Sequence, residues 1–338
     1  MKKNIPGHRQ LFQYHSIIGW NFIPGLKARV NHESGGYLVR VNKTGFRSEY
    51  EYEMKKSTNK FRIMVFGDSF TAADGISNKF RYSDILEKLL PNVEVYNFGL
   101  PGSGTDQHYL IFREIASKFD YDLIIIGAQV ENIRRVASRY RPYVNKTGQN
   151  LIMAKPYFSL DANGSLELSN CPVPKGPIHP DQLPKDQQKY VDRGGNLYSI
   201  RKTINKLGRP TKDLIQKITK YQPLPDYDDS NNPNWLLMQA IFKKWTAESK
   251  TKIVIFPIPV YHYIEKTSSS EACRERFKEL NFLPNIHVHD PLSDLLKYTE
   301  DDRRGFRFNK DIHPTPALHK ALAISLESAI KPIISYIK

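Results

Sequence analysis

The chain has 338 residues, of which 40% are hydrophobic and 25% charged. That is enough for one large α/β domain or two small ones with a sizeable core, and unlike a disordered or collagenous chain. The net charge of +15 favours an acidic partner such as nucleic acid, an anionic membrane face or an acidic glycan, although a solvated surface kept soluble by its charge accounts equally well for the excess. No apolar run reaches the roughly eighteen residues a membrane span needs, and the basic start Met1-Lys2-Lys3 has no apolar region behind it. Cys171 and Cys273 sit outside any redox or zinc motif. The chain therefore reads as a cytoplasmic protein with no cleaved signal, disulfide framework, metal or cofactor, its oligomeric state left open.

Residues 1–60, with eleven Lys and Arg against four Glu, read as an arm separate from a domain over 61–338. The alternating Tyr37-Leu38-Val39-Arg40-Val41 predicts that this arm packs on the core as strands. Five short apolar runs follow, at 61–66, 93–98, 123–126, 253–256 and 286–289. Each is nearly continuous in Val, Ile, Leu and Phe, as in parallel strands covered on both faces. Between them, steps of three and four link Tyr109, Phe112, Ala116 and Phe119, then Trp235, Met238, Phe242 and Trp245, then Leu318, Leu322 and Leu326. Thr105, Asn232-Pro233 and Thr315-Pro316 supply starts for these helices. Strands alternating with helices predict a doubly wound α/β fold around a five-stranded parallel sheet, with the two tryptophans packed inside.

More than a hundred residues separate the third run from the fourth, so an insertion over about 141–232 must hold structure of its own. Asp161-Ala162-Asn163-Gly164 between two short apolar segments predicts a hairpin. A proline-rich stretch follows. Leu197, Ile200, Ile204 and Leu207 then mark a basic amphipathic helix, and the whole reads as a lid or side wall over the carboxyl edge of the sheet.

Ligands of doubly wound folds bind at the carboxyl ends of strands. After the first strand comes Gly67-Asp68-Ser69-Phe70, where a serine on a sharp turn exposes its hydroxyl and directs its amide at a developing oxyanion; an ordinary turn capping the next helix has the same composition. After the second comes Gly99-Leu100-Pro101-Gly102-Ser103-Gly104, in which Gly102 is placed to donate a second hydrogen bond to an oxyanion. A mere turn or a phosphate cradle is the other reading, the latter weakened by the lack of a P-loop pattern. Near the end lies Asp311-Ile312-His313-Pro314, an imidazole with a carboxylate close enough to orient it as a base.

These three segments resemble blocks I, II and V of the SGNH/GDSL hydrolases in order and spacing. The resemblance implies a three-layer α/β/α sandwich of the flavodoxin-like kind, a triad of Ser69, His313 and Asp311, and an oxyanion hole built from the Ser69 and Gly102 amides with an asparagine side chain. The usual Gly-x-Asn-Asp after the third strand is replaced by Gly127-Ala128-Gln129-Val130-Glu131-Asn132, so Asn132 stands in for that asparagine and Gln129 is the runner-up. The short Asp-x-His spacing is similar to that of bacterial enzymes acting on polysaccharide acyl groups. The expected function is hydrolysis, or transfer, of acyl esters on a carbohydrate, O-acetyl groups foremost, through an acyl-serine. The alternative is an inactive module of the same fold that holds an acidic glycan in a basic cleft.

Other residues carry weaker expectations. If the stretch after Asn132 is helical, some of Arg134, Arg135, Arg139 and Arg141 overlook the site and could hold an anionic group, a solvated helix face being the plainer reading. His108 and His262 fall near strand ends and are candidates to line the cleft. His287 and His289 share a strand face but lack a third metal ligand. No RNP, helix-turn-helix or zinc-finger pattern supports specific nucleic-acid binding.

Overall fold

The computed structural model describes residues 10–145, 147–192 and 221–337. The arm forms two antiparallel hairpins, β1 (Phe12–His15) with β2 (Gly19–Phe22) and β3 (Lys27–Val30) with β4 (Tyr37–Arg40). It is anchored by polar contacts as well as by apolar ones. The buried Arg47 guanidinium donates to the carbonyls of Ala73 and Ile76, each at 2.7 Å, and to Asn78 Oδ1 at 2.9 Å. Tyr52 stacks on Tyr96 with ring centroids 4.0 Å apart. Its hydroxyl accepts the Asn97 N–H and donates to the Asn97 carbonyl, which covers part of a sheet edge that would otherwise expose unpaired backbone groups.

The core follows the predicted alternation: β5 (Phe61–Gly67), α1 (Ser69–Ala72), α2 (Tyr82–Leu89), β6 (Val93–Asn97), α3 (Thr105–Glu114), β7 (Leu123–Gln129) and α4 (Asn132–Arg135). The insertion carries β8 (Tyr140–Val144), β9 (Asn150–Ala154), β10 (Tyr157–Leu160) and β11 (Leu166–Ser169). The chain closes with α5 (Pro233–Glu248), β12 (Ile253–Ile258), α6 (Tyr261–Ile264), α7 (Glu271–Glu279), β13 (Ile286–Val288), α8 (Leu292–Leu295), α9 (Glu300–Arg304) and α10 (Pro316–Ile337). The five core strands are parallel in the order β6-β5-β7-β12-β13. Helices α2 and α10 pack together on one face, α3 and α5 on the other. This is the expected three-layer α/β/α sandwich.

Strands β5, β7 and β12 are buried along their whole length, and each Val, Ile or Phe side chain so covered contributes roughly 1.5–3 kcal/mol. Trp235 and Trp245 are fully buried, as their spacing requires. Asn232 caps α5 through Oδ1, accepting from the Asn234 and Trp235 amides, and the Asn-Gly hairpin forms between β10 and β11. Two expectations are corrected. Helix α3 stops at Glu114, and a 3-10 turn at Ala116–Lys118 carries Phe119 inward. The stretch after Asn132 is helical only to Arg135, and Arg141 lies in β8 instead. The helix expected around Leu197 to Leu207 lies outside the described residues. Among the described residues no helix is long and apolar enough to cross a membrane.

The chain leaves β5 for β6 at one edge and returns past β5 to β7, so connections depart in opposite directions from the carboxyl ends of β5 and β7. Such a divergence opens a crevice above the sheet.

Candidate active site

Ser69 is the first residue of α1, directly after β5. The turn is tight because Gly67 and Gly99 allow it: a Cβ on Gly67 would lie 2.1 Å from Thr71 Oγ1, and one on Gly99 would lie 2.4 Å from the Ala72 nitrogen. Asn97 ties the two loops together. Its Nδ2 donates to the Thr71 carbonyl and to Ser83 Oγ, while its Oδ1 accepts the Gly99 N–H. Asp68 caps α1 through Oδ1, accepting from Phe70 N at 2.9 Å, and its other oxygen pairs with the buried Arg135. As the first residue of a helix, Ser69 has an N–H without an intrahelical acceptor.

The glycine loop lies beside this turn. Leu100 N donates to the Gly67 carbonyl at 2.9 Å, and Gly102 takes a φ of 76°, which a residue with a Cβ adopts only under strain. Trp20 from the arm donates through Nε1 to the Pro101 carbonyl at 3.0 Å. Arg141 lies against Gly102, its Nε 3.0 Å from where a Cβ would sit, so β8 contributes to one wall of the crevice.

His313 sits just before α10. Its Nδ1 is 2.6 Å from Asp311 Oδ1, which also accepts the His313 backbone N–H at 3.0 Å. The ring is 5.8 Å from that of Phe70, and Nε2 is 4.0 Å from Asp74 Oδ2. Asp74 in turn hangs from the nucleophile turn, its N–H donating to the Ser69 carbonyl at 3.0 Å. The imidazole thus stands over the start of α1 with Nδ1 held by one carboxylate and Nε2 facing the other. Burial works against its protonation, but the hydrogen bond to Asp311 and the charge of Asp74 outweigh it and raise the pKa above 6.5. Burial likewise opposes ionisation of Asp311, yet the hydrogen bond and charge of His313 hold its carboxyl well below the usual range.

Asn132 opens α4 and is fully buried; its Oδ1 accepts from Arg135 Nη1 at 3.3 Å, and its Nδ2 has no partner among the described residues. Gln129, at the end of β7, uses its Oε1 to accept the Glu131 N–H at 2.7 Å. The weaker candidates disperse. Arg134 pairs with Asp226 and donates to the Pro223 carbonyl. Arg139 lies over the rings of Tyr157 and Tyr190. His108 lines no cleft: it is fully buried, bonded to Ser103 Oγ at 2.8 Å, and pushed down to about 3 by burial and by Arg135 and Lys155. His262 packs against Tyr221. His289 shares a hydrogen bond with Ser325 Oγ.

Arg135, Arg141 and Lys155 pair with Asp68, Asp192 and Asp106 respectively. With Asp74 and Asp311 added, the charges that the described residues place around Ser69 are largely balanced.

Pattern reading passed over His32 and Glu33, which lie between β3 and β4. His32 Nε2 is 3.0 Å from Asp311 Oδ2, and the Glu33 carboxylate accepts the backbone N–H groups of Asn309, Lys310 and Asp311 at 2.8–3.1 Å. It also passed over Asp74, whose only local signal is a left-handed Ala73 before it, at φ 65°.

No family model matches the chain, and no curated protein matches it. Among solved structures, a member of the lipolytic protein G-D-S-L family from Veillonella parvula aligns over 79% of this chain and 97% of its own, at 13% identity and a TM-score of 0.39. The chain's structural neighbours include G-D-S-L lipolytic proteins. The acetyl xylan esterase AlAXEase aligns over 80% of this chain and 100% of its own, at 13% identity and a TM-score of 0.42. A lipase/acylhydrolase from Enterococcus faecalis aligns over 81% and 96%, at 13% identity and a TM-score of 0.40.

Proposed function

We propose that the chain is a serine-dependent ester hydrolase or acyl transferase of the SGNH/GDSL kind, with Ser69 as nucleophile, His313 as base and Asp311 as its orienting carboxylate. The observation that carries this reading is the His313 imidazole, tied through Nδ1 to Asp311 at 2.6 Å and set over the first turn of α1, where Ser69 begins the helix. His313 Nε2 removes the proton from Ser69 Oγ as the hydroxyl attacks an ester carbonyl, and returns it to the departing alcohol. Water, or a sugar hydroxyl in the transfer reaction, then attacks the acyl-serine with the same histidine as base.

For the tetrahedral oxyanion we assign the Ser69 and Gly102 amides and the Asn132 side chain. Asn132 is favoured over Gln129 because its Nδ2 is buried without a partner, a costly state for a donor unless a ligand group completes it. As substrate we propose a short acyl ester, O-acetyl on a carbohydrate, from the Asp-x-His spacing. The balanced charges that the described residues place around Ser69 favour a neutral ester over an acidic one.

Turnover of a short-chain p-nitrophenyl ester by the wild-type protein and by Ser69→Ala tests the hydrolase reading, together with labelling by a serine-directed phosphonate. Turnover and labelling that both depend on Ser69 are expected. Absence of both would leave a binding module in place of an enzyme. An acyl donor offered with a glycan acceptor separates transfer from hydrolysis by the acylated product.

A further inference from the structure

The triad carboxylate has two oxygens, and only Oδ1 is used by the histidine it orients. We infer that His32, from the N-terminal arm, is a positioning residue for the reaction: its Nε2–H holds Asp311 Oδ2 and so fixes the carboxylate that fixes His313. The inference rests on the triad assignment proposed above.

Hydrogen bonding settles which ring nitrogen of His32 carries the proton. Nδ1 accepts the Ser34 N–H at 3.2 Å, so in the neutral ring the proton is on Nε2, pointing at Asp311 3.0 Å away. The ring cannot swing freely. It is nearly buried, with Phe308 edge-on at 4.5 Å and Tyr37 at 5.9 Å. Its approach needs Gly75, where a Cβ would lie 3.2 Å from Nε2. Glu33 acts on the same loop from the main chain, its carboxylate taking three successive N–H groups from Asn309 to Asp311. One arm turn therefore holds both the backbone and the side chain of the segment that bears the carboxylate.

This arrangement has an electronic consequence as well as a steric one. A donor on Oδ2 draws negative charge away from Oδ1, so the carboxylate stabilises the His313 imidazolium less than it would alone. The titratable groups facing Asp311 and His313 are His32, Glu33 and Tyr37 from the arm, Asp68 and Asp74 from the nucleophile turn, Tyr261 from α6 and His319 from α10. Of these, His32 alone donates a side-chain hydrogen bond to Oδ2 among the described residues.

The test compares wild type, His32→Ala and His32→Gln, since a glutamine amide can reach the place of Nε2 and keep the donor. Two quantities are measured: the titration midpoint of the His313 ring by NMR in isotope-labelled protein, and kcat and KM for a short-chain ester. In His32→Ala the midpoint is expected to move to higher pH while kcat falls about ten- to a hundredfold with KM unchanged; His32→Gln brings both back toward wild type. A midpoint that does not rise in His32→Ala, or that glutamine does not restore, overturns the inference. The NMR readout needs no turnover, so a shifted midpoint in a protein without ester activity would sink the hydrolase reading while leaving the hold of His32 on Asp311 and His313 standing. Thermal denaturation of both variants shows that the midpoint is read on folded protein.

Discussion

The two halves of the proposed active site are held in different ways. The Ser69 half is built within the sheet: its supports, Gly67, Thr71, Asn97 and Gly99, lie at the ends of two adjacent strands and within 32 residues of one another in sequence. The His313 half stands on a loop outside the sheet, and its fixings come from the arm, across a sequence separation of 279 residues from His32 to Asp311. The first half is rigid because the core is rigid. The second is tied at its base by the Arg307–Pro314 bridge and by Thr315 bonds to the Phe306 and Gly305 carbonyls, and its carboxylate is held by the arm that clasps it.

The largest effect separates chemistry from support. Ser69→Ala or His313→Ala should lower kcat/KM by at least about 10⁴-fold without altering the thermal midpoint much, because each removes a reacting group and little packing. Steady-state ester hydrolysis checks the first part and differential scanning fluorimetry the second.

Next comes the arm. Arg47→Ala leaves the carbonyls of Ala73 and Ile76 and the Asn78 side chain without their buried donor, at a cost of about 3 kcal/mol or more. Urea denaturation should show this loss. If the halves are held as described, ester turnover in the variant should fail in urea before the core unfolds, since Arg47 anchors the arm and the turn bearing Asp74. Loss of activity and of core fluorescence at one urea concentration would mean that arm and core are one cooperative unit and would remove the contrast.

That contrast also decides what the sequence discloses. The nearly unbroken apolar runs of β5, β7 and β12 and the compact segments around Ser69, Gly102 and His313 are local patterns, and the fold and the candidate triad could be written down from them. Arg141 was a candidate only on condition that the stretch after Asn132 is helical, and its strand was not legible because Tyr140–Val144 carries charge and proline in place of clear alternation. His32 and Glu33 were not legible at all. Their partners lie at the far end of the chain, and a histidine in a Gly-rich turn has no distinguishing pattern. The one available hint was the pair Gly35 and Gly36, both at positive φ, which marks a specially shaped turn and says nothing of what it touches.

The oxyanion donors give a smaller effect. Asn132→Ala should lower kcat about a hundredfold with KM nearly constant, the loss of one preorganised donor. Gln129→Ala, whose Oε1 accepts the Glu131 N–H and so fixes the way the side chain points, should change kcat only a few-fold. The opposite ranking would move the third donor to Gln129.

The smallest effect concerns Asp74, the carboxylate of the nucleophile turn that lies 4.0 Å from His313 Nε2, Asp68 of the same turn being paired with Arg135. A base must be neutral to accept the Ser69 proton, so the acid limb of the pH profile follows the His313 pKa, which the Asp311 hydrogen bond and the charge of Asp74 raise from the ordinary histidine value. The stability gained from this raised pKa is fully present below the unfolded value and is lost as pH rises through the folded one. Asp74→Asn removes a negative charge 4.0 Å from Nε2, so protonated His313 is less favoured, the acid limb moves to lower pH, and the plateau rate changes little. His32→Ala moves the same limb the other way. The two variants therefore titrate one imidazole from opposite sides, one through the core-built turn and one through the arm, and in the double variant the shifts should largely cancel. A double variant that follows either single one would show that only one of the two carboxylates governs His313.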